Sequence, residues 1–205
     1  MIQRSFEPFK GKSSLVGGFV QENEGAEDAA SRVLKALTGL DGLYMEQLNT
    51  FTAIERDSVE RTISITYFAL IDIKKYKQQI NEDHRPAWQP INAYPELIFD
   101  HSTFVELAKE KLRYKAALHP LLFELLPPKF TMPQLQNLYQ CVYNIEFDKD
   151  NFNRKLLSTN LLVKLKDKGK PGSKKGAFYY KMNTKNYTAG FNSFLNFVPS
   201  QYLRK

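Results

Sequence analysis

Apolar residues recur at steps of three and four between residues 24 and 37, which is the spacing of the buried face of an α-helix. These positions are Ala26, Ala29, Ala30, Val33, Leu34 and Leu37. Gly39 follows, and a glycine just beyond the last turn is a common helix stop. Two later segments, 43–51 and 61–71, are rich in β-branched and aromatic residues and predict two strands.

The middle of the chain predicts a second helix and then a break. Asp100 or Ser102 is suited to begin a helix that runs to about Leu118. Its inward face consists of Phe104, Val105, Leu107, Ala108 and Leu112. The stretch 119–130 contains three prolines, which interrupt a helix. Because the apolar run LLFELL lies between these prolines, we expect a packed connector and not a loose tether.

The pattern changes after the prolines. Thr131 and Gln134 have the spacing of a capping box, which predicts the start of a helix. Asp148 is the expected cap of a second helix. The segments 161–166 and 177–182 flank the sequence KDKGKPGSKKG, which predicts a β-hairpin with a basic tip. Two helices followed by a basic hairpin is the order of a winged helix-turn-helix domain.

Composition supports a division into two modules. The 205 residues are 42% hydrophobic and 25% charged, enough for one large or two small cores. Residues 1–110 hold 12 Lys and Arg against 17 Asp and Glu, a net charge of −5, whereas residues 111–205 hold 17 against 5, a net charge of +12. We expect a first domain over 1–118, a proline-rich connector over 119–130 and a basic domain over 131–205.

The basic domain has the features of a nucleic-acid reader. An outward face rich in amide and guanidinium groups can contact base edges, while lysines neutralise phosphates. The predicted DNA-binding residues are Lys149, Asn151, Asn153, Arg154 and Lys155 on the second helix, and Lys168, Lys170, Lys174 and Lys175 on the hairpin. The chain has no stacking-aromatic motif of the RNA-recognition kind, which favours duplex DNA over RNA and leaves RNA open.

The remaining composition predicts a protein of the cytoplasm that does not enter a membrane. No window approaches eighteen consecutive apolar residues, and the first twenty residues lack the apolar core of a signal peptide. The single cysteine, Cys141, stands in an apolar run and is expected to be a buried, reduced thiol. The three histidines have no ligand spacing, so no zinc site is predicted.

The first predicted helix carries part of a known catalytic signature. The Nudix hydrolase box is Gly, five residues, Glu, seven residues, then Arg-Glu-apolar-x-Glu-Glu-x-Gly-apolar. The matching residues are Gly18, Glu24, Arg32, Leu34, Gly39 and Leu40. Val33, Ala36 and Leu37 stand where the other three glutamates belong. Because Mg²⁺ requires anionic oxygen ligands, we predict no metal site, no catalytic residues, no cofactor, and a structural pairing of Glu24 with Arg32.

A degenerate Nudix box followed by a winged helix resembles the Nudix-related transcriptional regulators. The resemblance rests on FEPFKGKSSLVGGFV, YMEQLNTF, ERDSVERTISITYFAL, LLPPKFTMPQLQNLYQ and DKDNFNRKLL, which together span most of the chain. It implies an α/β Nudix-like α/β/α sandwich with a mixed sheet, followed by a winged helix-turn-helix domain. It further implies a homodimeric repressor that binds operator DNA and a small effector. Known effectors of that family are ADP-ribose and sugars such as arabinose. The loop sequences of this chain resemble the sugar-responsive branch more closely.

The sequence also offers candidate effector-binding residues and an expectation for the N-terminal segment. Charged and amide residues around the two strands are candidate contacts: Glu46, Gln47, Arg56, Asp57 and Arg61, with Gly18 in the loop before the first helix. A solvated hairpin turn is an equally good interpretation of the loop at 55–61. A fold like the family's begins with a further strand, so 1–4 is expected to be the end of a strand whose start is absent.

Two alternatives from other classes stay open. An active hydrolase of a nucleoside diphosphate derivative such as ADP-ribose would carry the basic domain as an appendage. The second alternative is an RNA-associated adaptor protein that binds no ligand.

Overall fold

A computed structural model describes residues 1–76, 85–169 and 176–186. The chain divides into two compact units, residues 1–115 and residues 116–205. In the described part of the chain, no helix is both long and apolar enough to cross a membrane.

The first unit is built from short strands and two principal helices. In chain order its elements are β1 (Ile2–Gln3), β2 (Ser13–Ser14), α1 (Ala26–Thr38), β3 (Glu46–Phe51), β4 (Ser64–Phe68), α2 (Ile73–Tyr76) and α3 (His101–Leu118). Antiparallel pairing joins β1 to β2 and β3 to β4, and a parallel bridge joins Ser13 to Leu97. Both predicted strands and both predicted helices are therefore confirmed. The first strand begins three residues later than predicted and ends at the predicted residue, whereas the second is shorter at both ends.

The end of α1 follows directly from its sequence. Gly39 has a φ of +80°, in the left-handed region that glycine adopts without strain, and its N–H donates to Lys35 O at 2.8 Å. The last turn is further tied by Thr38, whose hydroxyl donates to Leu34 O at 2.6 Å. The helix consequently stops at the residue predicted for it.

The N-terminal residues of the chain form a paired strand. Ile2 lies opposite Ser14, and Gln3 lies opposite Ser13. The Met1 amino group donates to Ala87 O at 2.9 Å, and Ala87 N–H donates to Met1 O at 2.8 Å. The first strand is thus linked on one side to β2 and at its start to residue 87.

The second unit contains the connector, two helices and a hairpin. Its elements are a 3₁₀ helix (Leu121–Leu125), β5 (Phe130–Thr131), α4 (Met132–Tyr143), α5 (Lys149–Ser158), β6 (Leu162–Gly169) and β7 (Ala177–Met182). β7 is the central strand of a three-stranded sheet, between β5 and β6. The apolar connector is packed as expected, since Leu122 is fully buried and Phe123 nearly so.

Both predicted helix caps of the second unit are present. Gln134 N–H donates to Thr131 Oγ1 at 3.4 Å, and Thr131 N–H donates to Gln134 Oε1 at 2.9 Å, which completes the capping box of α4. Asn151 N–H donates to Asp148 Oδ1 at 2.8 Å at the start of α5. Between the helices and the sheet lies one apolar core, formed by Phe123, Phe130, Met132, Leu135, Phe152 and Tyr180.

The prediction of a buried Cys141 is wrong. Cys141 is exposed on α4. The inward stripe of this helix passes through Leu135 and Tyr139, and two residues correspond to about 200° of helix rotation. Cys141 therefore lies on the face opposite Tyr139.

Candidate functional site

The loop before α1 packs closely against the helix. A Cβ atom at Gly18 would lie 2.9 Å from Val33 Cγ2. Val33 itself is 8% exposed. Glycine at position 18 therefore allows the loop to approach α1, and the contact at this point of the box is between backbone and an apolar side chain.

Glu24 and Arg32 form the structural pair predicted for them. Arg32 Nε donates to Glu24 Oε2 at 2.8 Å, and Arg32 Nη2 donates to Phe19 O at 3.0 Å. Gln21 N–H donates to Glu24 Oε1 at 2.9 Å. The hydrogen bond from Arg32 lowers the pKa of Glu24 to about 2. The two retained charged residues of the box thus hold the loop at 19–24 against α1.

The donor set of the box does not fit a divalent cation. The three positions that would supply glutamates hold an alanine, a leucine and a valine, and Val33 is buried. Hard cations require several oxygen ligands, which apolar side chains do not supply. Within the described residues, no three His, Cys, Asp or Glu side chains are grouped as metal ligands.

A cavity of about 860 Å³ lies in the first unit, between α1, the β3–β4 pair and α3. Its wall is mostly apolar and includes Gly18, Phe19 and Val33. Its polar side chains are Ser64, Thr66, Tyr67, His101 and Lys109. This size and this mixture of apolar wall with few polar groups are typical of small-molecule sites.

Among the six predicted effector contacts, only Gly18 lines this cavity. The Arg56 guanidinium is 4% exposed and bonds both oxygens of Asp100, at 2.9 and 2.8 Å. Arg61 donates to backbone carbonyls at residues 53 and 62, and Asp57 accepts from Val59 N–H. The polar groups of these three residues therefore form hydrogen bonds within the chain. Effector binding by Arg56, Asp57 and Arg61 stays a prediction.

The two strand residues of that set are also engaged elsewhere. Glu46 forms an ion pair with Lys115, and Gln47 Nε2 donates to Thr50 Oγ1 at 3.2 Å. The polar groups that the cavity does offer lie on β4 and α3. These residues were not predicted from the sequence. The hydroxyl residues of β4 are uncharged and alternate with apolar residues, as in many strands, so the pattern does not indicate a binding site.

His101 is a half-buried polar residue of the cavity wall. Its Nδ1 accepts from Leu15 N–H at 3.2 Å, and its ring lies 5.4 Å from that of Phe104. Burial lowers the pKa of His101, so the imidazole is neutral at physiological pH. A neutral ring that accepts at Nδ1 carries its proton on Nε2, where it can act as a hydrogen-bond donor.

Lys109 is the one lysine or arginine among the described residues that line the cavity. Its side chain is 12% exposed, and its ammonium donates to Glu106 at 3.0 Å. Tyr94 OH donates to the same carboxylate at 2.8 Å. The Lys109 ammonium is therefore held by an ion pair with Glu106, a residue that does not line the cavity.

In the second unit, the predicted recognition helix α5 presents a polar outer face. Lys149, Asn151, Arg154 and Lys155 are exposed, and Arg154 Nη2 donates to Asn151 Oδ1 at 2.9 Å. Asn153 differs from the expected outward orientation, since it is half-buried and its Oδ1 is excluded from solvent without a hydrogen-bond partner in the described chain. It follows the buried Phe152 by one residue, which places it at the edge of the inward face.

Three described lysines of the second unit lie over aromatic rings, and only one of them, Lys168, was predicted from the sequence as a DNA contact. Lys168 and Lys164 both lie over the ring of Phe178, with their Nζ atoms 4.5 and 3.9 Å from its centroid. Lys129 lies over Tyr179 at 5.0 Å. Lys164 and Lys129 were missed because their approach to these rings depends on strand pairing. Lys170, Lys174 and Lys175 lie outside the described residues.

Comparison with known proteins agrees with this two-part arrangement. The NUDIX domain family matches residues 1–108, and the family described as the NrtR DNA-binding winged helix domain matches residues 122–182. A NUDIX domain followed by this winged helix defines a class of DNA-binding transcription regulators. The chain belongs to the NrtR family within that class.

Individual relatives support the same assignment. The chain is 31% identical over 201 residues to the ADPR responsive transcriptional repressor NtrR of Acinetobacter baylyi, covering 96% of this chain and 80% of that protein. It is similar to the crystal structure of Shewanella oneidensis NrtR complexed with a 27mer DNA, with 28% identity, a TM-score of 0.67, and coverage of 91% of this chain and 87% of that one. The chain is also 32% identical over 116 residues to the ADP-ribose pyrophosphatase of Methanocaldococcus jannaschii, covering 56% of this chain and 66% of that protein.

The Glu24–Arg32 pair predicts a specific acid dependence of stability. A carboxyl whose pKa is lowered in the folded state stabilises the fold at higher pH, and this contribution is lost as the pH falls through the folded-state value. The loss should therefore occur between about pH 5 and pH 2, from the usual glutamate pKa down to that of Glu24. Glu24→Gln should remove this part of the pH dependence, measured as the urea midpoint against pH.

The matched control is Glu22→Gln, which changes an exposed carboxyl two residues away. It should retain the wild-type profile. A Glu24→Gln variant whose profile overlays the wild type throughout this range would show that the pair does not stabilise the fold.

Proposed function

We propose that this protein is a transcriptional repressor whose NUDIX domain binds an effector of the ADP-ribose class without cleaving it. The observation that carries the proposal is the cavity of the first unit, whose wall has Val33 where a metal-binding glutamate would stand. The same chain carries a winged helix with an exposed polar and basic α5. A domain that binds a ligand without hydrolysing it, joined to a DNA-binding domain, is suited to a ligand-responsive regulator.

The chemistry of the cavity supports a ligand with a diphosphate and an aromatic ring. Lys109 provides a cation suited to a phosphate oxygen, and His101 provides a donor at Nε2. Phe19 lines the cavity and is 81% exposed, which suits stacking against an adenine ring. The Acinetobacter baylyi relative is described as ADPR responsive, which supports ADP-ribose over arabinose as the effector. The loop sequences, by contrast, are closer to those of the sugar-responsive branch.

The repressor is proposed to act as a homodimer that binds duplex DNA. Two copies of α5 would enter successive major grooves, and half-sites would be separated by about one helical turn. Effector binding would favour a dimer geometry in which the two helices no longer match their half-sites. The proposed contacts are those predicted above, with Asn151 and Arg154 at base edges and the lysines at phosphates.

ADP-ribose should raise the melting temperature of the protein and bind in isothermal titration. Lys109→Met should weaken this binding by about tenfold, because a charge-assisted hydrogen bond to the diphosphate is lost. Lys35→Met is the matched control, since Lys35 lies on α1, is 63% exposed and does not line the cavity. Binding of arabinose in place of ADP-ribose, or an unchanged affinity in Lys109→Met, would contradict the proposed effector site.

Arg154 and Lys168 should affect DNA binding in different ways. Arg154→Ala should weaken binding to a selected duplex by about 1–3 kcal/mol, as expected for a base contact. Lys168→Ala should weaken all sequences alike and reduce the salt slope by about one. Both are measured by fluorescence anisotropy at several salt concentrations with a duplex enriched from a random pool, and again with a scrambled duplex and single-stranded RNA.

If neither variant changes the titration, the assignment of α5 and the hairpin to DNA is incorrect. Preference for RNA over every duplex would favour the adaptor reading.

The alternative function is hydrolysis of a nucleoside diphosphate derivative, and the match to the Methanocaldococcus jannaschii ADP-ribose pyrophosphatase supports it. We expect no release of AMP from ADP-ribose above background with Mg²⁺ or Mn²⁺, since the box lacks the glutamates that would bind these ions. Release of AMP is followed by chromatography. Metal-dependent turnover that is lost in Glu24→Gln would establish the hydrolase instead.

A further inference from the structure

Two glutamine side chains of α4 hold the turn that leads into α5. Gln136 Nε2 donates to Phe147 O at 2.8 Å, and Phe147 N–H donates to Gln140 Oε1 at 3.1 Å. Gln136 Nε2 also donates to Gln140 Oε1 at 3.2 Å. Both backbone polar groups of Phe147 are therefore bound by side chains of the preceding helix.

Phe147 is the residue through which the chain enters α5. It directly precedes the N-cap residue Asp148, and its ring lies 5.6 Å from that of Phe152 in the first turns of the helix. An apolar contact between these two positions fixes the angle at which a chain enters a helix. Its ring also lies 6.1 Å from that of Tyr143 near the end of α4. Polar and apolar contacts thus fix the same residue to α4.

We propose that Gln136 and Gln140 are positioning residues for DNA recognition, which set the direction of α5 relative to α4. The inference rests on the proposed function, because it requires that α5 reads duplex DNA. Neither glutamine is exposed enough to serve as a principal DNA contact, since both are half-buried. Their role is to fix the position from which Lys149 and Asn151 project.

The chemistry of the turn explains why glutamines are needed here. An apolar side chain at position 140 would leave the Phe147 N–H to water, which satisfies the donor but fixes no direction. Base contacts require a fixed helix direction, whereas attraction to phosphates tolerates a wider range. Loss of the glutamines should therefore reduce the discrimination between sequences more than the total affinity.

The test compares variants of Gln140 that differ in the acceptor. Gln140→Met keeps the length of the side chain and removes the acceptor, whereas Gln140→Glu retains an oxygen for Phe147 N–H. Gln136→Met removes the donor to Phe147 O and is an independent second variant. Asn137→Ala, at an exposed position of the same helix, is the control.

The readout is the ratio of affinities for a duplex enriched from a random pool and for its scrambled version. Gln140→Met and Gln136→Met should lower this ratio about tenfold, as expected for the loss of one or two hydrogen bonds. Gln140→Glu should keep the ratio within about threefold, because its added charge weakens both duplexes alike. Asn137→Ala should leave it unchanged.

Amide hydrogen exchange at Phe147 provides a measurement that needs no DNA. Protection should be lost in Gln140→Met and kept in Gln140→Glu. An unchanged ratio in both methionine variants, or an equal loss in Gln140→Glu, overturns the positioning role. A wild-type protein that enriches no duplex overturns the proposed function. The two failures are distinguishable, because the exchange data report on the glutamine contacts to Phe147 without DNA.

Discussion

The packing of Val33 against Gly18 determines what the first domain can do. The loop approaches α1 so closely that a side chain at position 18 would meet Val33, and Val33 is buried in the helix face that forms the cavity wall. A carboxylate at this position would need ligands or water, which an apolar contact excludes. Val33 therefore packs against the loop and supplies no metal ligand, and it lines the cavity with an apolar side chain.

In both domains, the segment that precedes a functional helix is held by side chains from that helix or from the one before it. Arg32 holds Glu24 and the carbonyl of Phe19 ahead of the cavity, and the glutamines of α4 hold Phe147 ahead of α5. Each arrangement satisfies backbone groups that would otherwise be free to turn toward water. The positions of the loop and of α5 are thereby set by hydrogen bonds and not only by apolar packing.

Local signals in the sequence were sufficient for the helices, their caps and the hairpin. The capping box at Thr131 and the stop at Gly39 depend on residues within one helical turn, so a pattern can reveal them. The cavity depends on residues from distant segments, and no local pattern reports which hydroxyl of β4 faces it. Arg56 illustrates the difficulty, since its charge indicated a ligand contact, whereas its nearest partner is Asp100, 44 residues away.

The division of charge gives a physical reason for separating sensing from DNA binding. Residues 1–110 carry a net charge of −5, so this part of the chain repels a polyanion, while residues 111–205 carry +12 and attract it. An anionic effector of the proposed class would have to be bound by local groups against this unfavourable overall field, and the proposal assigns that role to Lys109 and His101. DNA binding has the opposite requirement, because the field of the basic domain supplies most of the attraction. Precise geometry is then needed only where α5 meets the bases.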